Sequence, residues 1–239
     1  MEPLSPKCVP LIPEKVCTSC SGTGYRIDDK SRVAKECGCL ITKRVKVSDA
    51  LPKRWHDKTL WDLETREMKR SQAKDFKEAV SICQKYTDQF SRKTKKGLLL
   101  QGPVGCGKSH IAAGITKEII LKGFSAVYWN FAVLALEMRS GENGQSEKTV
   151  LSKCRESDLV VLDDLGTEKA SEFSARITYQ IIETRMDIQR PTIVTTNISE
   201  HELPIRFPDM GARLASRFSE HLVPICFGDL PDHRRVINR

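Results

Sequence analysis

Residues 98–109 read LLLQGPVGCGKS, an apolar run that breaks into glycines and ends on a lysine and a serine. The segment Gly102-Pro103-Val104-Gly105-Cys106-Gly107-Lys108-Ser109 fits the pattern G-x-x-x-x-G-K-[ST], and it lies between an apolar strand and the start of a helical stretch. Its glycines let successive backbone N–H groups turn inward, and the following helix directs its positive dipole end at the same point. That arrangement suits phosphate oxygens. Lys108 is expected to reach the β- and γ-phosphates of a nucleotide, and Ser109 to supply an oxygen to Mg²⁺. His110, the next residue, is counted with 102–109 among the nucleotide contacts.

Outward from this loop, short apolar runs alternate with helical stretches. LLLQG, SAVYW, LVVLDD, PTIVTTN and LVPICF read as strands, and residues 109–121, 131–139, 171–188 and 211–218 as helices. That alternation predicts an α/β fold with a parallel sheet flanked by helices. An earlier stretch, 72–90, spaces Phe76, Val80, Cys83 and Tyr86 at three- and four-residue intervals, the pattern of an amphipathic helix.

Three of these elements end in groups that suit phosphoryl chemistry. LVVLDD closes on Asp163 and Asp164. Asp163 is the choice for the Mg²⁺ side, because hard cations take oxygen ligands, and Asp164 can polarise an attacking water. The strand TIVTTN ends on Asn197, which either orients water at the γ-phosphate or caps a helix over ISEHEL. Arg213 and Arg217 stand four apart on one helix face. They are either solvated surface groups or an arginine finger set into a neighbouring subunit's nucleotide.

Five of the nine cysteines fall in the first 39 residues. Cys17-x-x-Cys20 and Cys37-x-Cys39 make two close pairs, and each can clamp one edge of a zinc tetrahedron. A segment this short has no core of its own, so Zn²⁺ would fold it. Cys8 is an alternative ligand. Cys83, Cys106, Cys154 and Cys226 are scattered and read as small apolar side chains.

Over the 239 residues, 39% are hydrophobic and 29% charged, enough for one packed domain plus a small module. The net charge of +8 favours an anionic partner. Ten basic and five acidic residues between Arg26 and Lys58 concentrate part of it, while Tyr25 and Trp55 are too few aromatics for a stacking platform. There is no signal sequence and no apolar run near the roughly 18 residues of a membrane span, so the expected setting is cytoplasmic, with no membrane contact.

With the phosphate loop, the DD-ending strand, the TTN strand and the RLASRF helix in that order, residues 93–239 resemble the AAA+ ATPases of the DnaC/DnaI helicase-loader group. DDLG at 163–166 and SRF at 216–218 are the most specific parts. The resemblance implies an AAA+ P-loop NTPase that binds and hydrolyses ATP. It implies Asn197 as the γ-phosphate sensor, Arg217 as a finger acting across subunits with Arg213 assisting, and Arg234, or its neighbour Arg235, as a second sensor. Only 22 residues follow Arg217, which implies a reduced or absent helical lid and weak, partner-stimulated hydrolysis. The expected division is a zinc-binding module over 1–47, a helical linker over 48–92 and the ATPase domain over 93–239. The cysteine module resembles that of DnaI-type loaders. The implied partners are a replicative hexameric helicase, single-stranded DNA and further copies of the chain. Two alternatives remain open, a transposition helper ATPase of the IstB type and a non-hydrolysing adaptor that uses ATP as a conformational ligand.

Overall fold

The computed structural model describes residues 17–21, 23–27, 33–60, 68–140, 146–166, 172–199, 201–228, 230 and 232. Cys8, Arg234 and Arg235 lie outside them. A hairpin of β1 (Tyr25–Ile27) and β2 (Ala34–Glu36) leads into α1 (Gly38–Ala50) and then α2 (Arg70–Gln89). There follow β3 (Gly97–Gln101), α3 (Lys108–Leu121), β4 (Ala126–Asn130), α4 (Phe131–Ser140) and α5 (Glu147–Glu156). The chain continues through β5 (Leu159–Leu165), α6 (Glu172–Asp187), β6 (Thr192–Thr196), α7 (Leu203–Arg206), α8 (Gly211–His221) and β7 (Leu222–Cys226).

The five later strands form one parallel sheet in the order β4-β5-β6-β3-β7. Side chains alternate across it, as the pleat requires. Leu98, Leu100, Leu159, Val161 and Ile193 face one way and join Ile111, Ile115 and Ile119 of α3 and Phe76, Val80 and Cys83 of α2 in one core. Leu99, Val160, Leu162 and Val194 face the other way, against residues of α4, α5, α6 and α8 such as Phe131, Val150, Ile181 and Phe218. Each of these aliphatic side chains removed from water stabilises the fold by about 1.5–3 kcal/mol before conformational entropy is counted. Among the described residues no helix is long and apolar enough to cross a membrane.

Three helices were not legible in the sequence, α1, α5 and the short α7. Helix α1 crosses the expected boundary between residues 47 and 48, and its Val47, with Leu51 after it, is buried in the α3-side core. Residues 48–92 likewise contribute Leu60, Phe76 and Cys83 to that core.

The N-terminal edge of the sheet is closed by a buried guanidinium. Arg185 of α6 is fully buried; Nη1 donates to the carbonyls of Cys154 and Ser157 at 2.6 and 2.7 Å, and Nη2 to those of Asp158 and Pro191 at 3.0 and 2.6 Å. It thereby ties the C-terminus of α5, where the helix dipole is negative, to the starts of β5 and β6. Beside it, the Asp158 carboxylate accepts from the Ser125 N–H, the Ser125 hydroxyl and Arg190 at 2.9, 3.0 and 2.5 Å.

Candidate active site

The opposite edge, at the C-terminal ends of the strands, is where parallel α/β sheets leave a crevice for ligands. The chain leaves β3 through Gly102 and enters α3 at Lys108. Gly105 and Gly107 take φ of +79° and +99°, the left-handed region where only glycine is unstrained. Gly107 is the residue immediately before α3, so the helix N-terminus opens into the loop. The Lys108 side chain is buried and curls back along the loop, with Nζ donating to the carbonyls of Gly102 and Pro103, both at 2.8 Å. Cys106 is buried 3.8 Å from that ammonium; burial raises its thiol pKa against the pull of Lys108, so it is a neutral packing group. Ser109 follows in the first turn of α3. The His110 side chain is bonded to the Thr59 carbonyl at 2.8 Å and lies against Trp55.

The two acids lie in an irregularity of β5. Pairing with β6 is regular from Val160 to Leu162, is lost at Asp163 and Asp164, and resumes at Leu165 opposite Thr196. Asp164 has φ +60°, an uncommon conformation for a residue with a side chain. Such bulges re-aim side chains beside functional sites. Asp163 is fully buried, and its Oδ1 accepts from the Thr195 hydroxyl at 2.7 Å, while Oδ2 has no partner in bonding geometry. The buried Tyr128 hydroxyl faces this carboxylate, and burial, then the Asp163 charge, pushes the phenol pKa up. Both the Tyr128 hydroxyl and Asp163 Oδ2 fall short of hydrogen-bonding geometry, and a buried carboxylate oxygen of this kind, together with the Ser109 hydroxyl in the first turn of α3, is the donor chemistry a hard divalent cation takes. Asp164 is partly exposed; its N–H donates to Thr195 Oγ1 at 2.9 Å, and Asn130 Nδ2 donates to its carboxylate at 3.4 Å.

Asn197 follows β6 at this same edge and is exposed. Residues 198, 199, 201 and 202 are not helical, and α7 has Glu202 before its first turn, so Asn197 does not stand at the start of a helix. Arg217 of α8 is not simply solvated: it ion-pairs with Glu183 of α6, and its Nη1 donates to Glu220 at 3.0 Å. Hydrogen bonding to Tyr179 and then to Glu183 raises its pKa further. Arg213, one turn earlier, is exposed.

Sequence reasoning missed Thr195, Tyr128 and Asn130, whose roles depend on which strands are neighbours. It also missed Asp232. The segment after β7 follows the loop, with the Phe227 N–H donating to Gln101 O at 2.8 Å, and the Asp232 carboxylate lies against Gly105 so closely that any side chain at that glycine would collide with it.

The four N-terminal cysteines converge. Cys17 and Cys20 lie on the turn before β1, Cys37 caps α1 and Cys39 sits in its first turn. All four sulfurs lie within 4.8 Å of one another, with Cys17–Cys37 at 3.8 Å and Cys20–Cys39 at 3.5 Å. A tetrahedron with zinc–sulfur bonds of about 2.3 Å has edges of about 3.8 Å, so the set fits the ion. The Gly24 N–H donates to Cys20 Sγ at 3.4 Å, as backbone amides do around thiolate clusters. In the thiol form, contact with Cys20 first, then burial and the other two thiols, pushes Cys39 up to about 12.

Known proteins match on these regions. Residues 34–224 match the family model described as IstB-like ATP binding protein. The replicative helicase loader DnaC of Escherichia coli K12 is 30% identical over 127 residues, 52% of this chain and 51% of its own length. A putative insertion sequence ATP-binding protein of Sinorhizobium fredii is 28% identical over 119 residues, 50% of this chain and 40% of its own. The chain thus spans about half the length, or less, of these curated relatives. A crystal structure of the DnaC helicase loader superposes with a TM-score of 0.62 at 23% identity, over 73% of this chain and 99% of that one, a likeness of fold. AMPPCP-bound DnaA from Aquifex aeolicus also superposes, with a TM-score of 0.56 at 19% identity over 73% of this chain and 51% of that one, so the sheet with helices on both faces is a fold these proteins share. With the family model matched from β2 to β7, this chain belongs to the IstB-like ATP-binding protein family.

Proposed function

We propose that this chain is an ATPase that loads a replicative DNA helicase onto single-stranded DNA, gripping the helicase through its N-terminal zinc module. The observation that carries the reading is the four-thiol cluster held directly ahead of the nucleotide fold, together with the loader relatives. On this reading 1–47 is the module, continued into the body by α1, with 48–92 a helical connection and 93–239 the ATPase domain.

The chemistry follows from the groups at the C-terminal edge. The loop amides and Lys108 bind the phosphates, the ammonium exchanging the Gly102 and Pro103 carbonyls for phosphate oxygens. Ser109 and Asp163 would hold Mg²⁺, which when bound neutralises charge on the β- and γ-phosphates. Asp164 accepts the proton of a water held with Asn197, and that water attacks in line at the γ-phosphate, releasing ADP and phosphate. Arg217, with Arg213, serves a neighbouring copy's nucleotide, for which Arg217 must leave Glu183 and Glu220. Mixing Arg217→Ala with Lys108→Ala chains should therefore restore part of the hydrolysis that each lacks; no recovery in confirmed mixed assemblies would make Arg217 a pin between α8 and α6.

The insertion-sequence relative and the family description favour a second reading, a helper ATPase of transposition. Capture of partners by the tagged chain separates the two. The loader reading expects a hexameric helicase, together with one zinc per chain that is lost, along with the partner, in Cys17→Ser/Cys20→Ser. A transposase in the helicase's place would overturn it. Phosphate release that stays absent with helicase and single-stranded DNA present would leave ATP as a conformational ligand only.

A further inference from the structure

We infer that Thr195 is the positioning residue of the site: one hydroxyl sets both the face that Asp163 offers to a divalent cation and the backbone that aims Asp164. The inference rests on the ATPase reading above and deepens it.

Thr195 is fully buried on β6, next to β5 in the sheet. Its Oγ1 has one proton and two lone pairs. An ionised carboxylate can only accept and an N–H can only donate, so the directions are fixed. The hydroxyl proton goes to Asp163 Oδ1 at 2.7 Å, and the oxygen accepts the Asp164 N–H at 2.9 Å. The first bond distinguishes the two oxygens of Asp163, occupying Oδ1 and leaving Oδ2, which the Tyr128 hydroxyl faces outside bonding geometry, as the one open to a cation. The second holds the residue whose φ is +60°. Strand alternation puts the next side chain on the opposite face, where Thr196 Oγ1 donates to Leu165 O at 2.8 Å and accepts the Ile198 N–H at 3.0 Å. The irregular stretch of β5 is thus stitched from both faces of β6. The two threonines do different work, because only Thr195 touches the acids.

Hydrogen bonds to charged groups are the strong ones, and losing one in a buried site corresponds to about 10- to 100-fold in an equilibrium or a rate. Thr195→Val keeps the shape and removes the hydroxyl, whereas Thr195→Ser keeps the hydroxyl. The probe is a fluorescent ATP analogue, titrated with Mg²⁺ and again in excess chelator, beside kcat and KM for ATP. In Thr195→Val the affinity in chelator should stay within about twofold of the unmodified chain, because the loop still binds the phosphates. The tightening that Mg²⁺ brings should shrink by about tenfold or more, with kcat falling and KM in Mg²⁺ rising. Thr195→Ser should restore the Mg²⁺ effect to within about threefold. Should the valine chain not fold, Thr195→Cys, of similar volume with a weak donor, replaces it with the same expected split. An unchanged Mg²⁺ effect in Thr195→Val, or a serine chain as impaired as the valine one, overturns the inference while the ATPase reading stands. An unmodified chain that binds no nucleotide overturns both.

Discussion

Both edges of the parallel sheet bury charged side chains, and they treat them oppositely. At the N-terminal edge Arg185 has a carbonyl for four of its five N–H groups, and Asp158 is surrounded by donors. At the C-terminal edge Asp163 keeps one oxygen with no partner in bonding geometry, Asp164 is held in a left-handed conformation, and the helix end at Gly107 opens into the glycine loop. Of the Arg185 nitrogens Nε alone lacks a partner; a buried charge with most of its hydrogen bonds made is a fastener, costly to break. An unsaturated one is tolerable only where a ligand completes it. On the proposed function, the same residue types mean stability at one edge and chemistry at the other.

Mutation should separate the two. The largest effect belongs to Asp164→Asn, which keeps shape and removes the proton acceptor. Hydrolysis should fall by about 10²- to 10⁴-fold, with ATP affinity and melting temperature close to normal. A comparable loss of stability would put Asp164 among the fasteners. Arg185→Met should do the reverse, lowering stability by about 3–5 kcal/mol in urea unfolding, because four buried carbonyls lose their donor, while the folded fraction binds ATP normally. A chain of ordinary stability would break the comparison at its N-terminal side.

A smaller effect concerns His221, at the end of α8 and buried near Arg185. Burial first, then the Arg185 charge, holds its pKa down at about 4, opposed by the Arg190 backbone and Glu220. The imidazole is neutral in the folded chain at pH 7 and stays so well below the pH at which the unfolded chain takes up a proton, near 6.5. Stability is therefore fully present above about pH 6.5 and falls as the pH drops toward 4. This one group should account for about 2 kcal/mol of loss between pH 7 and 5. His221→Leu should flatten that part of the pH profile, and an unchanged slope would assign the loss to other groups.

The two edges also differ in how legible they were. The phosphate loop and the DD strand are local patterns, with spacing set by backbone geometry, so the sequence alone put Lys108 and Ser109 at a helix start and Asp163 and Asp164 at a strand end, where the structure has them, and gave most of the sheet. Thr195 reads as one more β-branched strand residue until β6 is known to lie beside β5. Arg185 reads as one of two arginines on a helix of mixed charge, and only packing against the end of α5 and the starts of β5 and β6 buries it. Helix α1 was hidden by its composition, since Ile41, Thr42, Val45 and Val47 are weak helix formers and Cys37 and Cys39 draw attention to the metal pattern instead. The expected boundary between residues 47 and 48 lies inside α1.

The most direct measurement is a titration of the purified chain, in Mg²⁺, with a fluorescent ATP analogue, beside the Lys108→Ala chain and with melting temperature as the check on folding. The unsaturated edge as an ATP site requires saturable binding by the unmodified chain, and its loss, by about 100-fold or more, in a Lys108→Ala chain that melts within a few degrees of normal. Binding within about threefold of normal in Lys108→Ala, or none in the unmodified chain, would contradict the assignment of this edge as the nucleotide site.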